Sequence, residues 1–522
     1  MELKLAGLDI AIFIAYALAL LAIALWISRD EKSHEKNPED YFLASKSLPW
    51  WAIGASLIAA NISAEQIIGM SGSGFAIGLG IASYEWMAAI TLILVGKYLL
   101  PVFLKNEIYT MPQYLEQRFN GSVKTTLAIF WLAVFIFVNL TSVLWLGGLA
   151  IESVAGIDWL YGMIFLAIFS VAYSTYGGLK AVAYTDIIQV VLLVFGGLFL
   201  SYLALDLIAD GDGILTGFRI LTEKVPSHFD MILSTDNKNY INLPGISVLI
   251  GGLWVMNIGY WGFNQYIIQR ALAAKNIQEA QKGIALAAYL KLLMPIIVVL
   301  PGIAAVVLFP DIEKADQAYP SMMSLMPVGI KGLVFAALVA AIISSLASMT
   351  NSISTIFTMD IYRPVKHGKP DHHYVNVGRI VTIVSLTVAV CVAQPLIGQS
   401  EQAFQYIQEF SGLFSPGITV IFLMGMFWKR TTSAGALASA LGSAGFSVAF
   451  AIFWPSLPFM DRIGIVFLMC LGLTYFVSLL DQKPVNDKSI SLDTVSFTTN
   501  TSFNVAGVGV VLILIGLYAT WW

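Results

Sequence analysis

The feature that most constrains this chain is the recurrence of apolar stretches long enough to cross a bilayer. A span needs about 20 apolar residues, within a range of roughly 17 to 25. Fourteen stretches meet that rule, near residues 7–28, 48–72, 77–104, 124–150, 159–177, 183–208, 244–268, 282–309, 328–357, 377–397, 403–427, 434–454, 463–480 and 503–521. Helices and closed barrels are the only structures that satisfy their own backbone in lipid, and stretches of this length read as helices. The chain is therefore predicted to be an all-α polytopic membrane protein. Of its 522 residues, 58% are hydrophobic and 11% charged, against about half and about a quarter in soluble domains. The first stretch is too long for a signal-peptide core and lacks a small-residue cleavage site after it, so it is expected to be a retained span. Cys391 and Cys470 sit in apolar spans and imply neither a disulfide framework nor a metal site. His372 and His373 are expected to be a solvated pair in a charged loop.

Basic residues set the orientation. With the loop from Arg29 to Lys46 placed in the cytoplasm, nineteen lysines and arginines fall on that side and six on the other. This is a positive-inside bias, and it puts both termini outside. The long outer loop, about 209–243, is either a plain connector or a cover over the outer mouth with a short helix of its own. The inner segment from Ile108 reads as a short amphipathic helix at the interface.

Polar residues inside the spans point to a site. An ionisable side chain at mid-depth costs about 2.5–3.5 kcal/mol on insertion scales, and such residues face a protein interior or a wet cavity. The second stretch carries A-A-N-I-S-A-E-Q-I-I-G-M-S-G-S-G from Ala59 to Gly74. The seventh carries G-G-L-W-V-M-N-I-G-Y-W-G-F-N-Q-Y-I-I-Q-R from Gly251 to Arg270. Both are predicted to be discontinuous, the seventh around Asn257 to Tyr260. Interrupted spans at corresponding places in two halves are a pointer to inverted repeats with a substrate site at the breaks. Being five spans apart, they set one repeat over the second to sixth spans and the other over the seventh to eleventh. Glu85 and Lys291 are buried ionisable groups in the third and eighth spans; Lys291 either faces a polar cavity or forms an ion pair that locks helices. Gln405 and Gln408 share a helical face, as cavity residues or as interhelical glue. Ser344 and Ser345 permit close helix packing, or supply hydroxyl ligands to a sodium ion opposite freed carbonyls of Ala59 to Ile62. Asp186 either caps the start of the sixth helix or attracts a leaving cation.

Several longer stretches complete the reading: A-E-Q-I-I-G-M-S-G-S-G-F, G-I-A-S-Y-E-W-M, Y-G-G-L-K-A-V-A-Y-T-D-I-I-Q, W-G-F-N-Q-Y-I-I-Q-R, S-S-L-A-S-M-T-N-S with T-I-F-T-M-D-I-Y, and G-M-F-W-K-R-T-T-S-A-G-A. On these motifs, over nearly its whole length, the chain resembles the solute:sodium symporter family, and within it the bacterial sodium/galactose and sodium/glucose symporters. The resemblance implies a LeuT-like core of five plus five helices with two discontinuous helices, one helix before it and three after it. The corresponding divisions are 1–46 (leading helix and cytoplasmic loop), 47–208 (first repeat), 209–243 (outer loop), 244–430 (second repeat) and 431–522 (three accessory helices). It also implies sugar contacts from Gln66, Glu85, Asn257, Lys291 and Gln408, with Asn61 nearby. Tyr260 would stack on the sugar as an inner gate. Met70, Tyr84 and Phe404 would form an outer lid. Sodium would be held by carbonyls of Ala59, Ile62 and Ala341 and hydroxyls of Ser344 and Ser345, with Asp186 on its exit path. Two positions depart from the pattern: Ala88 stands where a serine would face the sugar, and Gly259 where a tyrosine would precede the gate. The outer loop between the eighth and ninth spans is also shorter.

The expected function is sodium-coupled import of a hexose, galactose or glucose, by alternating access in a bacterial inner membrane. Sodium is the co-transported ion. No nucleotide is required, no G-x-x-x-x-G-K-[ST] motif is present, and no nucleic acid is implied. The alternatives are a sodium symporter for another sugar or polyol such as myo-inositol, a solute sensor built on the transporter fold, and a channel. An intramembrane enzyme using Glu65 and Glu85 would lack a nucleophile or metal set. The lipid bilayer is expected as a partner besides the solutes.

Overall fold

The computed structural model describes residues 5–27, 48–108, 111–174, 179–400, 402–481 and 488–522. The loop expected from Arg29 to Lys46, and part of the Y-G-G-L-K motif, lie outside the described residues. The ordered elements are helical, and one isolated parallel bridge joins Leu48 to Ala274.

Helix α1 (Gly7–Ile27) leads the chain. Helices α2 (Trp50–Asn61) and α3 (Met70–Ala76) are halves of one apolar stretch, bent by 64° at a break and joined through a π turn over Glu65–Gly69. The next rod, Leu79–Lys105, contains α4 (Ser83–Leu94). After α5 (Met111–Arg118), helices α6 (Gly121–Val134) and α7 (Thr141–Ala155) continue through a π turn over Phe135–Leu140. Helices α8 (Trp159–Ser174) and α9 (Leu179–Ile208) close the first half, and α10 (Ile214–Lys224) lies in the long loop. The second half holds α11 (Gly252–Phe263), α12 (Gln265–Leu272), α13 (Ile277–Leu308), α14 (Ile330–Thr355) and α15 (Asp371–Ile397). It ends with α16 (Ala403–Ser411) and α17 (Ser415–Phe427), bent by 46°. Helices α18 (Ser433–Phe453), α19 (Phe459–Leu480) and α20 (Thr501–Trp521) follow.

Among the described residues nine helices are long and apolar enough to span a bilayer, or eleven when each bent pair is one span. This is fewer than the fourteen expected. The described apolar parts of α1 and α8 are short, and α11 and α12 have only 12 and 8 residues.

The first break falls at Ile62 to Ala64. Four consecutive ladder bonds, from the N–H groups of Ser63, Ala64, Glu65 and Gln66 to the carbonyls of Ala59, Ala60, Asn61 and Ile62, are absent among the described residues. The Ser63 hydroxyl accepts from Glu65 N–H at 3.3 Å instead, the kind of side-chain bond that competes with a helix ladder. The second break differs from expectation. Helix α11 runs unbroken through Asn257 to Tyr260, and the chain extends only at Asn264 (φ −84°, ψ 120°). The glycines of α11 serve close approach rather than unwinding: Gly252 packs on the Met460 carbonyl, and a Cβ on Gly262 would lie 2.6 Å from Leu99. Small residues let membrane helices meet this closely. The bend between α16 and α17 was not expected. It falls at Gly412 to Phe414, just before Pro416 in the first turn of α17, where the missing N–H of proline costs nothing.

The long loop covers one end of the broken span, as one of its two readings had it. His228 Nε2 donates to the Phe75 carbonyl at 3.1 Å and Asn239 Nδ2 to the Ala76 carbonyl at 2.8 Å. These bonds satisfy orphan carbonyls at the C-terminal end of α3. Gly78 (φ +98°) makes the turn, and a Cβ there would lie 2.4 Å from the His228 carbonyl oxygen.

Candidate functional site

Breaking α2 exposes polar side chains to a central cavity with about 1030 Å³ of empty space, part of it open to solvent. Asn61, Gln66, Glu85, Asn257, Tyr260, Lys291 and Gln408 all line it. All seven residues expected to hold a sugar are thus brought together from five apolar stretches. Lys291, 1% exposed, donates to Glu85 Oε2 at 2.5 Å and to Asn61 Oδ1, and its ammonium stands 5.1 Å from the Trp261 ring centre. A lone lysine in lipid would be costly; here a carboxylate, an amide and an aromatic face compensate. Asn61 Nδ2 donates to the Tyr260 hydroxyl at 3.1 Å, and the Tyr260 and Tyr266 hydroxyls are 3.1 Å apart. Asn257 donates to the Leu253 carbonyl at 3.1 Å. Gln405 is buried but lies outside the cavity wall, so the face it shares with Gln408 does not make it a cavity residue.

One end of the cavity is shut by aromatic packing. The Tyr84 and Phe404 rings meet edge to face at 5.1 Å. Met70, Tyr84 and Phe404, the residues expected to form an outer lid, are all buried. Ala88 and Gly259, the two departures, both line the cavity. A Cβ on Gly259 would meet the Thr419 hydroxyl at 2.9 Å, so a larger residue there would require Thr419 to move.

The oxygen-rich positions expected for sodium are buried at the break and on α14: Ala59, Ile62, Ala341, Ser344 and Ser345. The Ala59 and Ile62 carbonyls are among the four left without their ladder donors. Ser344 donates to Asp186 Oδ1 at 2.9 Å. Asp186 also faces Arg270 at 3.6 Å, whose Nε donates to Ser56 Oγ at 3.0 Å. As the eighth residue of α9, Asp186 does not cap that helix. Arg270, one of the nineteen basic residues assigned to the cytoplasmic side, is 2% exposed. Arg118 is likewise buried and donates to the Gly425 and Thr431 carbonyls at 2.7 and 2.9 Å, closing the end of α17.

Trp261, Asn139, Asn264, Ser411 and Ser415 also line the cavity and were not singled out from sequence. For Asn139 a signal was available: it is the lone amide in F-I-F-V-N-L, and the cost that marked Lys291 marks it too. Among the described residues no group of three or more His, Cys, Asp and Glu is placed to hold a metal ion.

The Sodium:solute symporter family model matches residues 41–442. A sodium/glucose cotransporter of Vibrio parahaemolyticus is 53% identical over 543 residues, covering 100% of this chain and 99% of that one. A sodium/myo-inositol cotransporter 2 of Sus scrofa is 33% identical, covering 83% of this chain and 68% of that one. A solved structure of a Na+-coupled sialic acid symporter, substrate-bound and outward-open, matches with TM-score 0.78 at 24% identity over 92% of this chain and 99% of that one. Mhp1, a nucleobase-cation-symport-1 family transporter in a closed conformation, matches with TM-score 0.51 at 14% identity, over 90% and 99%. At these identities the two structures speak for the fold alone. The chain is an integral membrane protein and belongs to the sodium:solute symporter family.

Proposed function

We propose that this symporter imports a hexose, galactose or glucose, with sodium by alternating access. One observation carries the reading: seven polar and aromatic residues from separate stretches converge on one cavity at the break of α2. A hexose presents hydroxyls around its rim and C–H patches on its faces. Amides, the Glu85 carboxylate and the Lys291 ammonium suit the rim, and Tyr260 suits a face. A site built to bond hydroxyls rejects analogues that lack them, because its own buried groups are left unpaired. Lys291, Glu85 and Asn61 bond one another, and an entering sugar exchanges those bonds for its own. The similar Vibrio protein, a sodium/glucose cotransporter by name, supports the same class of solute.

Sodium is assigned to the Ala59, Ile62 and Ala341 carbonyls with Ser344 and Ser345, and Asp186 beside Ser344 to its exit. Binding there ties α2 to α14 and sets the broken span that carries Asn61 and Gln66. The membrane potential contributes about 2.3 kcal/mol per charge per 100 mV. Met70, Tyr84 and Phe404 close the outer side, and Tyr260 the inner. We assign the chain fourteen spans in a five-plus-five core with one leading and three trailing helices, both termini outside, in a bacterial inner membrane. The positive-inside bias supports that orientation, and it survives removal of the buried Arg118, Arg270 and Arg462 from the tally.

The test is uptake of radiolabelled galactose and glucose into proteoliposomes with and without an imposed sodium gradient. Uptake should require sodium and saturate; flux that ignores sodium would overturn the coupling. A second reading, transport of myo-inositol, is favoured by the relatives of that name and by the missing hydroxyl at Ala88. Competition among unlabelled galactose, glucose and myo-inositol separates the two.

A further inference from the structure

Of the stretch S-Y-E-W over residues 83–86, the site proposed above uses only Tyr84 and Glu85. Those two line the cavity from the first turn of α4, and Ser83 and Trp86 do not. Ser83 and Trp86 are nonetheless 1% and 4% exposed. Three residues apart, they share a helix face, and α20, the last helix, covers it.

Tyr518 of α20 meets both residues. Its hydroxyl donates to Ser83 Oγ at 3.0 Å, and its ring meets the Trp86 ring edge to face at 6.0 Å. Trp86 in turn donates its indole N–H to the Leu292 carbonyl of α13 at 3.3 Å. Leu292 follows Lys291, whose own carbonyl has no ladder donor because Pro295 stands four residues on. One side chain thus bears on the turn that carries Glu85 and, through Trp86, on the turn that carries Lys291. Helix α20 is itself held at both ends. The Trp521 carbonyl accepts from Met231 N–H in the long loop at 2.8 Å, and the Trp521 ring packs on Phe218 and Phe229 at 5.9 and 5.3 Å. Towards the other end, Tyr289 of α13 donates its hydroxyl to the Ala506 carbonyl at 3.1 Å. Between them Val505, Val508, Leu512 and Ile515 are exposed. Lipid gives no hydrophobic drive for packing such a helix, so its polar bonds mark where it is held.

We propose that Tyr518 is a positioning residue for the sugar site, setting the Glu85 carboxylate and the Lys291 ammonium at the spacing a hexose rim requires. It does not line the cavity and acts through Ser83 and Trp86. This rests on the hexose reading above, in which Glu85 and Lys291 bond the sugar.

The test is sodium-driven uptake of labelled galactose and glucose by the full chain in proteoliposomes. Tyr518→Phe keeps the ring and removes one hydrogen bond, so KM for the sugar should rise about twofold to tenfold. The maximal rate and the half-saturating sodium concentration should hold. Ser83→Ala removes the same bond and should give the same rise, and the double variant no more than either alone. Additive rises, or an unchanged KM in both single variants, would overturn the proposal.

Thermal stabilisation in detergent separates positioning from mere packing. In Tyr518→Ala, which also loses the ring contact, the sugar concentration for half-maximal stabilisation should rise at least about tenfold, while that for sodium alone is unchanged. A helix that only packs would lower the melting temperature of the ligand-free protein and leave both concentrations as they were, which would overturn the proposal. Glu85→Gln is the control. If it leaves stabilisation by sugar intact, the parent reading fails and this proposal with it. If it abolishes that stabilisation while Tyr518→Phe and Tyr518→Ala are silent, this proposal alone fails.

Discussion

Lys291 and Glu85 are 206 residues apart in sequence and 2.5 Å apart in space, both nearly inaccessible to solvent. Removing one partner of such a pair strands the other charge and typically costs about 3–5 kcal/mol, whereas removing both together is far milder. Lys291→Ala and Glu85→Ala are therefore each expected to lower the melting temperature strongly and abolish uptake. The double variant should recover most of the stability and none of the transport. Single variants as stable as the wild type would mean the pair is not desolvated as described. Both residues were legible in sequence because an ionisable side chain in an apolar run stands out by its cost. Their partners were not. Arg270 ends an apolar run and looked like a loop charge; only packing of α12 against α2 and α9 reveals that it faces Asp186 and Ser56. Gln405 and Gln408 share a helical face by periodicity, but periodicity does not say where the cavity ends.

At the scale of elements, the broken second span was legible because amides, a carboxylate and glycines crowd one place in it. The seventh span misled for a physical reason: its glycines admit Met460 and Leu99 to close contact and leave the helix intact, so the extended residue is Asn264. The bend ahead of α17 had a signal in Gly412 and Pro416 that apolarity concealed. Sequence left the long loop open between connector and cover, since the bonds of His228 and Asn239 to the end of α3 cross more than 150 residues. Burial holds the His228 imidazole below its ordinary value, so near neutral pH the ring donates while uncharged. With each bond worth about 0.5–1.5 kcal/mol, His228→Ala combined with Asn239→Ala should speed hydrogen exchange of the α3 amides by about fivefold to a hundredfold. Unchanged protection, read by mass spectrometry, would mean that the loop merely drapes over the helix.

At the scale of the whole molecule, alternating access by this symporter calls for α3 and α16, one half of each bent span, to part. The loop over 309–329 ties them. Asp316 Oδ2 accepts from Ala403 N–H at the start of α16 at 3.0 Å, and its Oδ1 faces Gly72 of α3 so closely that a Cβ there would lie 2.6 Å away. Ser73 on α3 donates to Gln402 at 3.0 Å in the same seam. Lys314 is turned to the Gly398 carbonyl at 3.0 Å and the Trp145 ring at 5.6 Å. Burial pushes the Asp316 carboxyl up to about 7, against the pull of the Ala403 N–H and Lys314. Parting α3 from α16 wets Asp316 and returns it toward its ordinary value of about 3.9. Between about pH 4 and pH 7 the closed form then holds a proton that the open form has released. Protons therefore favour closure, fully below about pH 4, and that advantage is lost as pH rises through about 7, by up to about 1.4 kcal/mol per unit. The check is labelling of Ser71→Cys, buried on α3, by a membrane-impermeant thiol reagent in a Cys391→Ser, Cys470→Ala background. Labelling should fall more steeply between pH 7.5 and 5.5 with Asp316 present than in Asp316→Asn, which retains only the thiol's own pH dependence. Identical pH profiles in the two would mean that the seam opens without wetting Asp316.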